Sequence, residues 1–360
     1  MRTLDSDRSS PCAAALRASG AAALSAICLF LSLFSGCKHE PTDPWSDSPI
    51  VRGPAPPLSD PVPYALLGSG RLAFVRVSSN QGHSFNILDA DILSSTGFSM
   101  QGFDMFPAIS PDGKKIAFTF LDGVGDTGSY WDIAIMQNDG SGIEHLTAME
   151  FYEECPAWST DGNLLYFYHR TATSVLCSQS PVPNAPNVRT VLAFTRSSPS
   201  SPVSAAPDGM FALSRNTEIG REISLVRPDG TTSMIACDST VAPSRLIAPA
   251  FSPDGKTAVY ISEPRDSTGM YYQLSLIAVD IASTMKDTII TVPISGSRQW
   301  VDGSYSGLSV CWSPDGKRLA FTRPSGDYCI HIWLVNVDGT GLTQVTSSPG
   351  ASDRFLTWSR

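Results

Sequence analysis

Apolar and polar residues alternate in short runs along most of this chain, and the same turn separates the runs again and again. "IAPAFSPDGKTAVYIS" at 247–262 and "LSVCWSPDGKRLAFTR" at 308–323 are two copies of one pattern. Alternation at period two predicts half-buried β-strands. Pro-Asp-Gly predicts a tight connection between them: proline presets φ, aspartate bonds back to the local backbone, and glycine accepts the left-handed conformation that follows. The turn aspartate recurs at Asp112, Asp161, Asp208, Asp254 and Asp315, in steps of 49, 47, 46 and 61. A repeat in the forties is the size of one four-stranded propeller blade.

Each copy continues into a second signature, as in "YWDIAIMQNDGSGIEHLT" at 130–147 and "CIHIWLVNVDGTGLTQVT" at 329–346, where the DG pair turns a third strand into a fourth. Ahead of the turn, one position holds Ala108, Ala157, Ser204, Ala250, Cys311 and Thr357. The next holds Ile109, Trp158, Ala205, Phe251, Trp312 and Trp358. Small groups on one face fit a strand near a propeller axis, where neighbouring blades converge, and this places the tryptophans in blade-to-blade core. The chain ends in "LTWSR", just where a turn should begin, and "LLGSGRLAFVRV" at 66–77 supplies the missing continuation. The last strand then completes the first blade and leaves no free edge at the join. The fold expected is all-β: a six-bladed β-propeller of four-stranded antiparallel blades over residues 64–360, closed by the C-terminal strand.

The SPDGKxIAF turn followed by a D-G turn and a Leu-Thr ending resembles the β-propeller repeats of the TolB family. The resemblance implies a scaffold whose function lies in what it binds, and it marks a form without the N-terminal α/β domain of TolB proteins. Related propellers also occur in peptidases and polysaccharide lyases, so a lyase-like enzyme using the channel mouth is the alternative reading. The peptidases need a following hydrolase domain, and no G-x-S-x-G occurs here. The lyases imply histidines around an axial metal. His83 and His331 fall on third strands, His169 on a second and His145 on a fourth, while His39 precedes the propeller. No catalytic group, metal or cofactor is therefore assigned.

The N-terminus carries a different signal. Arg2, Arg8 and Arg17 precede the apolar run 21–36, which is shorter than the ~20 apolar residues of a spanning helix. The run ends in "LFSGC", similar to the lipobox of bacterial lipoproteins: small Ser35 and Gly36 for peptidase access, then Cys37 to take the lipid. Residues 1–36 are expected to be a lipoprotein signal peptide, residues 37–63 a Pro-rich tether, and the lipid an anchor to a membrane of the cell envelope, in the periplasm or at the cell surface. Losing three arginines and two aspartates with the signal moves the formal charge from −9 to −10. An acidic body without a basic stripe excludes nucleic acid as a partner. A monomer is expected.

Loops between second and third strands, and between blades, share the face opposite the SPDG turns, and the longest insertions fall there. Tyr130, Phe151, Tyr152, Glu153, Glu154, Arg265, Trp300 and Tyr305 are expected to ring that mouth, an aromatic and charged composition suited to an unknown envelope protein or glycan. Asp122, Asp126 and Asp132 lie in or beside one of these loops, but without EF-hand spacing they read as solvated. Cys155, Cys177, Cys237, Cys311 and Cys329 show no CxxC spacing, and their strand positions are too far apart to bridge; five free, mostly buried thiols are expected.

Overall fold

The computed structural model describes residues 51–55, 58, 61–78, 82–100, 105–125, 128–147, 152–171, 174–182, 188–194, 198–199, 201–217, 220–237, 244–264, 272–294, 307–325 and 329–359. All of them fall in one compact unit, Pro41–Arg360. Cys37 lies outside the described residues.

Six antiparallel sheets are built in the expected order. Blade 1 runs outward from Ala351–Ser359 through Arg71–Ser78 and Gly82–Asp89 to Ser94–Met100. Blade 2 comprises Met105–Ile109, Lys115–Gly125, Gly128–Gln137 and Glu144–His145, and blade 3 comprises Tyr152–Trp158, Leu165–Arg170, Ser174–Gln179 and Arg189–Phe194. In blade 4 the innermost strand is split into Ser198–Pro199 and Ser204–Ala205, both paired with Phe211–Thr217, followed by Gly220–Val226 and Thr232–Cys237. Blade 5 is Ser244–Phe251, Thr257–Pro264, Gln273–Asp280 and Lys286–Pro293; blade 6 is Val310–Trp312, Arg318–Pro324, Ile330–Asn336 and Thr343–Gln344. The seam is closed as the sequence implies: Leu72 opposes Trp358 and Ala73 opposes Thr357.

One strand was not anticipated. Val51–Pro54, inside the segment expected to be tether, pairs antiparallel with Ser94–Met100 and adds a fifth strand to blade 1. Edge pairing uses backbone groups alone, so a proline-containing segment with no alternation can still supply it.

The turns explain why the motif recurs. In the first, Ser110 Oγ donates to Asp112 Oδ1 at 2.6 Å, Lys114 N donates to the same oxygen at 3.1 Å, and Lys115 N donates back to Ser110 Oγ at 2.9 Å. Gly113 takes φ +70. The same set is made by Ser159 with Asp161, Ser252 with Asp254 and Ser313 with Asp315, and in each the serine hydroxyl holds the carboxyl below its usual range. Ser313 is buried, donating to Asp315 at 2.6 Å and accepting from Arg318 N at 2.9 Å. Ser313→Ala is expected to lower unfolding free energy by about 1–2 kcal/mol, read from urea denaturation, because it leaves the Arg318 amide without that acceptor.

A second device repeats without a glycine to announce it. Phe106, Cys155, Ala248 and Phe355 adopt φ of +54, +59, +53 and +57. Each sits where the innermost strand slips register against the second, a β-bulge. The backbone is strained there, and in three blades the bulge amide reaches the preceding blade: Cys155 N to Thr119 Oγ1 at 3.1 Å, Ala248 N to Ser201 Oγ at 3.2 Å, and Phe355 N to Gly307 O at 3.3 Å. The tryptophans do the same a few residues on. Trp158 Nε1 donates to Ala108 O at 2.8 Å and Trp312 Nε1 to Ala250 O at 3.1 Å. Their place between blades is the one expected. Aromatic packing completes the contacts, with Phe85 edge-on to Phe118 at 5.1 Å between blades 1 and 2, and Tyr166 edge-on to Phe211 at 4.7 Å between blades 3 and 4.

The five described cysteines are free, with Cys155, Cys177 and Cys329 buried, Cys311 half-buried and Cys237 exposed. Asp132 differs from its expected setting: it lies on the third strand of blade 2 and is buried beside Thr147, whose hydroxyl lies 3.5 Å from its Oδ1.

Candidate functional site

The innermost strands of all six blades enclose a cavity of about 660 Å³ on the propeller axis. It runs from the SPDG turns, at Pro111, Pro207, Pro253 and Pro314, to the bulges at Phe106, Ala248 and Phe355. Its wall is mostly proline, aliphatic and tryptophan, and its serine hydroxyls are already engaged. Ser201 Oγ bonds Ser214 Oγ at 2.7 Å, Ser204 Oγ accepts from Phe251 N at 3.0 Å, and Ser309 Oγ accepts from Leu356 N at 2.7 Å.

Beyond the bulges, at the loop-side ends of the blades, the innermost and second strands carry a rim of buried charges in cross-strand register. Arg76 grips Asp353 in a fork of 2.7 and 2.9 Å across the seam of blade 1. Arg245 Nε bonds Glu263 at 2.7 Å in blade 5, and in blade 4 Arg215 pairs with Glu222 between the second and third strands. Blade 3 contributes two pairs, His169 Nδ1 with Glu153 Oε1 at 2.6 Å and Arg170 with Glu154. Sequence reasoning missed this rim. Its signal is a charge at the end of an otherwise apolar strand, as with Arg76 in "RLAFVRVS" and Asp353 in "ASDRFLTW".

Of the residues expected to ring the mouth, the structure brings together Tyr152, Glu153 and Glu154. They open the innermost strand of blade 3 instead of standing in a loop: Tyr152 opposes Arg170 and Glu153 opposes His169. His169 gives the buried Glu153 carboxylate a hydrogen-bond partner and Arg170 gives Glu154 a cation, which lets the strand extend through both. Tyr152 is 42% exposed, while Glu153 and Glu154 are buried. Tyr130 lies on the third strand of blade 2 opposite Asp122, because the insertion there lengthens a hairpin as far as Gly125 and Gly128. Phe151, Arg265, Trp300 and Tyr305 lie outside the described residues.

Burial pushes the Glu154 carboxyl up from 4.5 to about 7, against the pull of Arg170. The unfolded chain therefore ionises first as pH rises, so this residue lowers stability progressively between pH 4.5 and 7 and adds no further change above. Burial also pulls His169 down, which lowers stability as pH falls through the imidazole range, the opposite direction. Glu154→Gln isolates the first contribution. Its unfolding free energy relative to the wild type should rise by roughly 2–3 kcal/mol between pH 4.5 and 7.5, measured by denaturant titration at each pH.

Among the described residues no group of three His, Cys, Asp or Glu side chains gathers as a metal site. His83, His145, His169 and His331 stand in four different blades.

No family model matches the sequence, and no curated protein matches it. Solved structures do. TolB from Acinetobacter baumannii is 18% identical with a TM-score of 0.63, covering 81% of this chain and 66% of that one. A putative TolB from Agrobacterium tumefaciens is 15% identical with a TM-score of 0.51, covering 81% and 99%, and Kuenenia stuttgartiensis hydrazine synthase is 13% identical with a TM-score of 0.55, covering 81% and 46%. This chain thus spans about two thirds of the A. baumannii protein. At these identities the likeness establishes the fold, which is the six-bladed propeller of the TolB-like proteins.

Proposed function

We propose that this protein is a bacterial lipoprotein, anchored to an envelope membrane through Cys37, whose propeller is a scaffold that captures another protein on its loop-side face. The observation that carries the reading is the rim. Tyr152 stands exposed at the end of a strand whose next two residues are buried, Glu153 hydrogen-bonded to His169 and Glu154 paired with Arg170, so an aromatic anchor is presented from a rigid base. Phe151, Arg265, Trp300, Tyr305 and Tyr130 are the further residues proposed for the same face. The likeness to TolB structures supports a binding scaffold. The anchor is assigned from the "LFSGC" stretch that ends at Cys37.

Tyr152→Ala combined with Trp300→Ala should reduce cross-linked capture of the envelope partner at least tenfold while the melting temperature holds. Unchanged capture by a folded variant would remove this surface from consideration. Mass spectrometry of the mature N-terminus should find a diacylglyceryl-modified cysteine as residue one; cleavage elsewhere would refute the anchor.

A further inference from the structure

The rim has one arginine that its neighbours do not explain. Arg76, Arg170, Arg215 and Arg245 each pair with a carboxylate. Arg354, beside Asp353 on the innermost strand of blade 1, pairs with none among the described residues, and its Nε is buried without a hydrogen-bond partner there. Arg323 of blade 6 also lacks a carboxylate, but it donates to Pro293 O at 2.7 Å and lies over the Trp333 ring.

The position of Arg354 is built. Its Cβ, Cγ and Cδ cross Gly307 so closely that a Cβ added there would meet Cδ at 2.6 Å, and Gly307 holds φ +72. The next two residues of its own strand are fastened to the same segment by Phe355 N to Gly307 O and Leu356 N to Ser309 Oγ. Gly307, Phe355 and Leu356 all line the loop-side end of the axial cavity. Burial pulls the guanidinium below its usual range, against a smaller opposing pull from the Cys329 thiol. A buried charge without a counter-charge is costly, and a carboxylate brought by a ligand would offset that cost.

We infer that Arg354 is a carboxylate-binding residue that receives an acidic side chain of the protein partner beside Gly307, on the loop side of the join between blades 6 and 1. This rests on the loop-side capture reading and names the chemistry it recognises. A planar guanidinium whose stem is already clamped loses little freedom when it forms a forked pair with a carboxylate.

The test uses the full chain labelled with 15N-arginine and a blocked tri-glutamate peptide as probe, with blocked tri-glutamine as the neutral control. The Arg354 Nε–Hε signal, assigned by its loss in Arg354→Gln, should shift saturably with tri-glutamate alone. Affinity, followed on neighbouring amides, should fall at least tenfold in Arg354→Gln. Arg354→Met should melt at or above the wild-type temperature, which a structural prop would not do. An unmoved Arg354 signal, equal affinity in Arg354→Gln, a melting temperature lowered by several degrees in Arg354→Met, or tighter binding of tri-galacturonate than of tri-glutamate would each overturn the inference. If tri-glutamate binding needs Arg354 while Tyr152→Ala with Trp300→Ala captures partner normally, the capture reading fails and the carboxylate site stands.

Discussion

Replacing Asp353 by alanine is expected to lower the unfolding free energy by about 3–5 kcal/mol, the range for removing one member of a buried ion pair and leaving the other charged. Asp353 is fully buried and accepts both limbs of the Arg76 guanidinium. The two residues are 277 apart in sequence, on the terminal strands that close the ring. For a unit of this size the loss corresponds to a fall of roughly 10 °C in melting temperature, measurable by calorimetry. Asp353→Ala with Arg76→Met should recover most of it, since the double variant leaves no buried charge unpaired. A single variant within 1 kcal/mol of the wild type would mean that the seam carries little of the fold's stability.

Gly70→Ala is the second large effect. Gly70 has φ +83, and an added Cβ would lie 2.1 Å from the carbonyl oxygen of Ser359 and 3.0 Å from Pro314. The nearest atom is backbone at the end of the C-terminal strand, where Ser359 opposes Arg71, so relief requires moving the closing strand itself. Gly230 supplies the control, with the same φ of +83 and nothing within 4 Å of an added Cβ. Gly230→Ala should show only the left-handed backbone penalty of about 1–2 kcal/mol. Gly70→Ala should exceed it by at least about 2 kcal/mol, as expected where overpacking adds to backbone strain. Equal losses in guanidinium denaturation would place Ser359 away from Gly70.

The blades were legible because their signals are local. Strand alternation and the Ser-Pro-Asp-Gly turn are read within about fifteen residues, and the seam followed from one strand lacking its turn and another lacking its beginning. What escaped depends on partners distant in sequence. The bulges at Cys155, Ala248 and Phe355 lack a glycine, and the preceding blade holds each of their amides. Glu153 and Glu154 interrupt apolar alternation and so look like loop, yet His169 opposite Glu153 and Arg170 diagonal to Glu154 on the hairpin make them strand. The fifth strand Val51–Pro54 rests on edge pairing that no side-chain pattern announces. The exposed Tyr152 stands in the sequence as an aromatic beside two carboxylates, whereas the lack of a carboxylate partner for Arg354 among the described residues emerges only when each rim cation is matched to its own.

The account stands or falls on the pairing of the two chain ends. Residues directly opposed in antiparallel strands have Cα atoms about 4.5–5.5 Å apart, within disulfide reach. Ala73 and Thr357 are such a pair. In the variant Ala73→Cys with Thr357→Cys, mild oxidation followed by non-reducing peptide mapping should recover residues 73 and 357 in one cross-linked peptide from the monomer. Two free thiols at these positions, or a link found only between chains, would contradict the closed six-bladed ring.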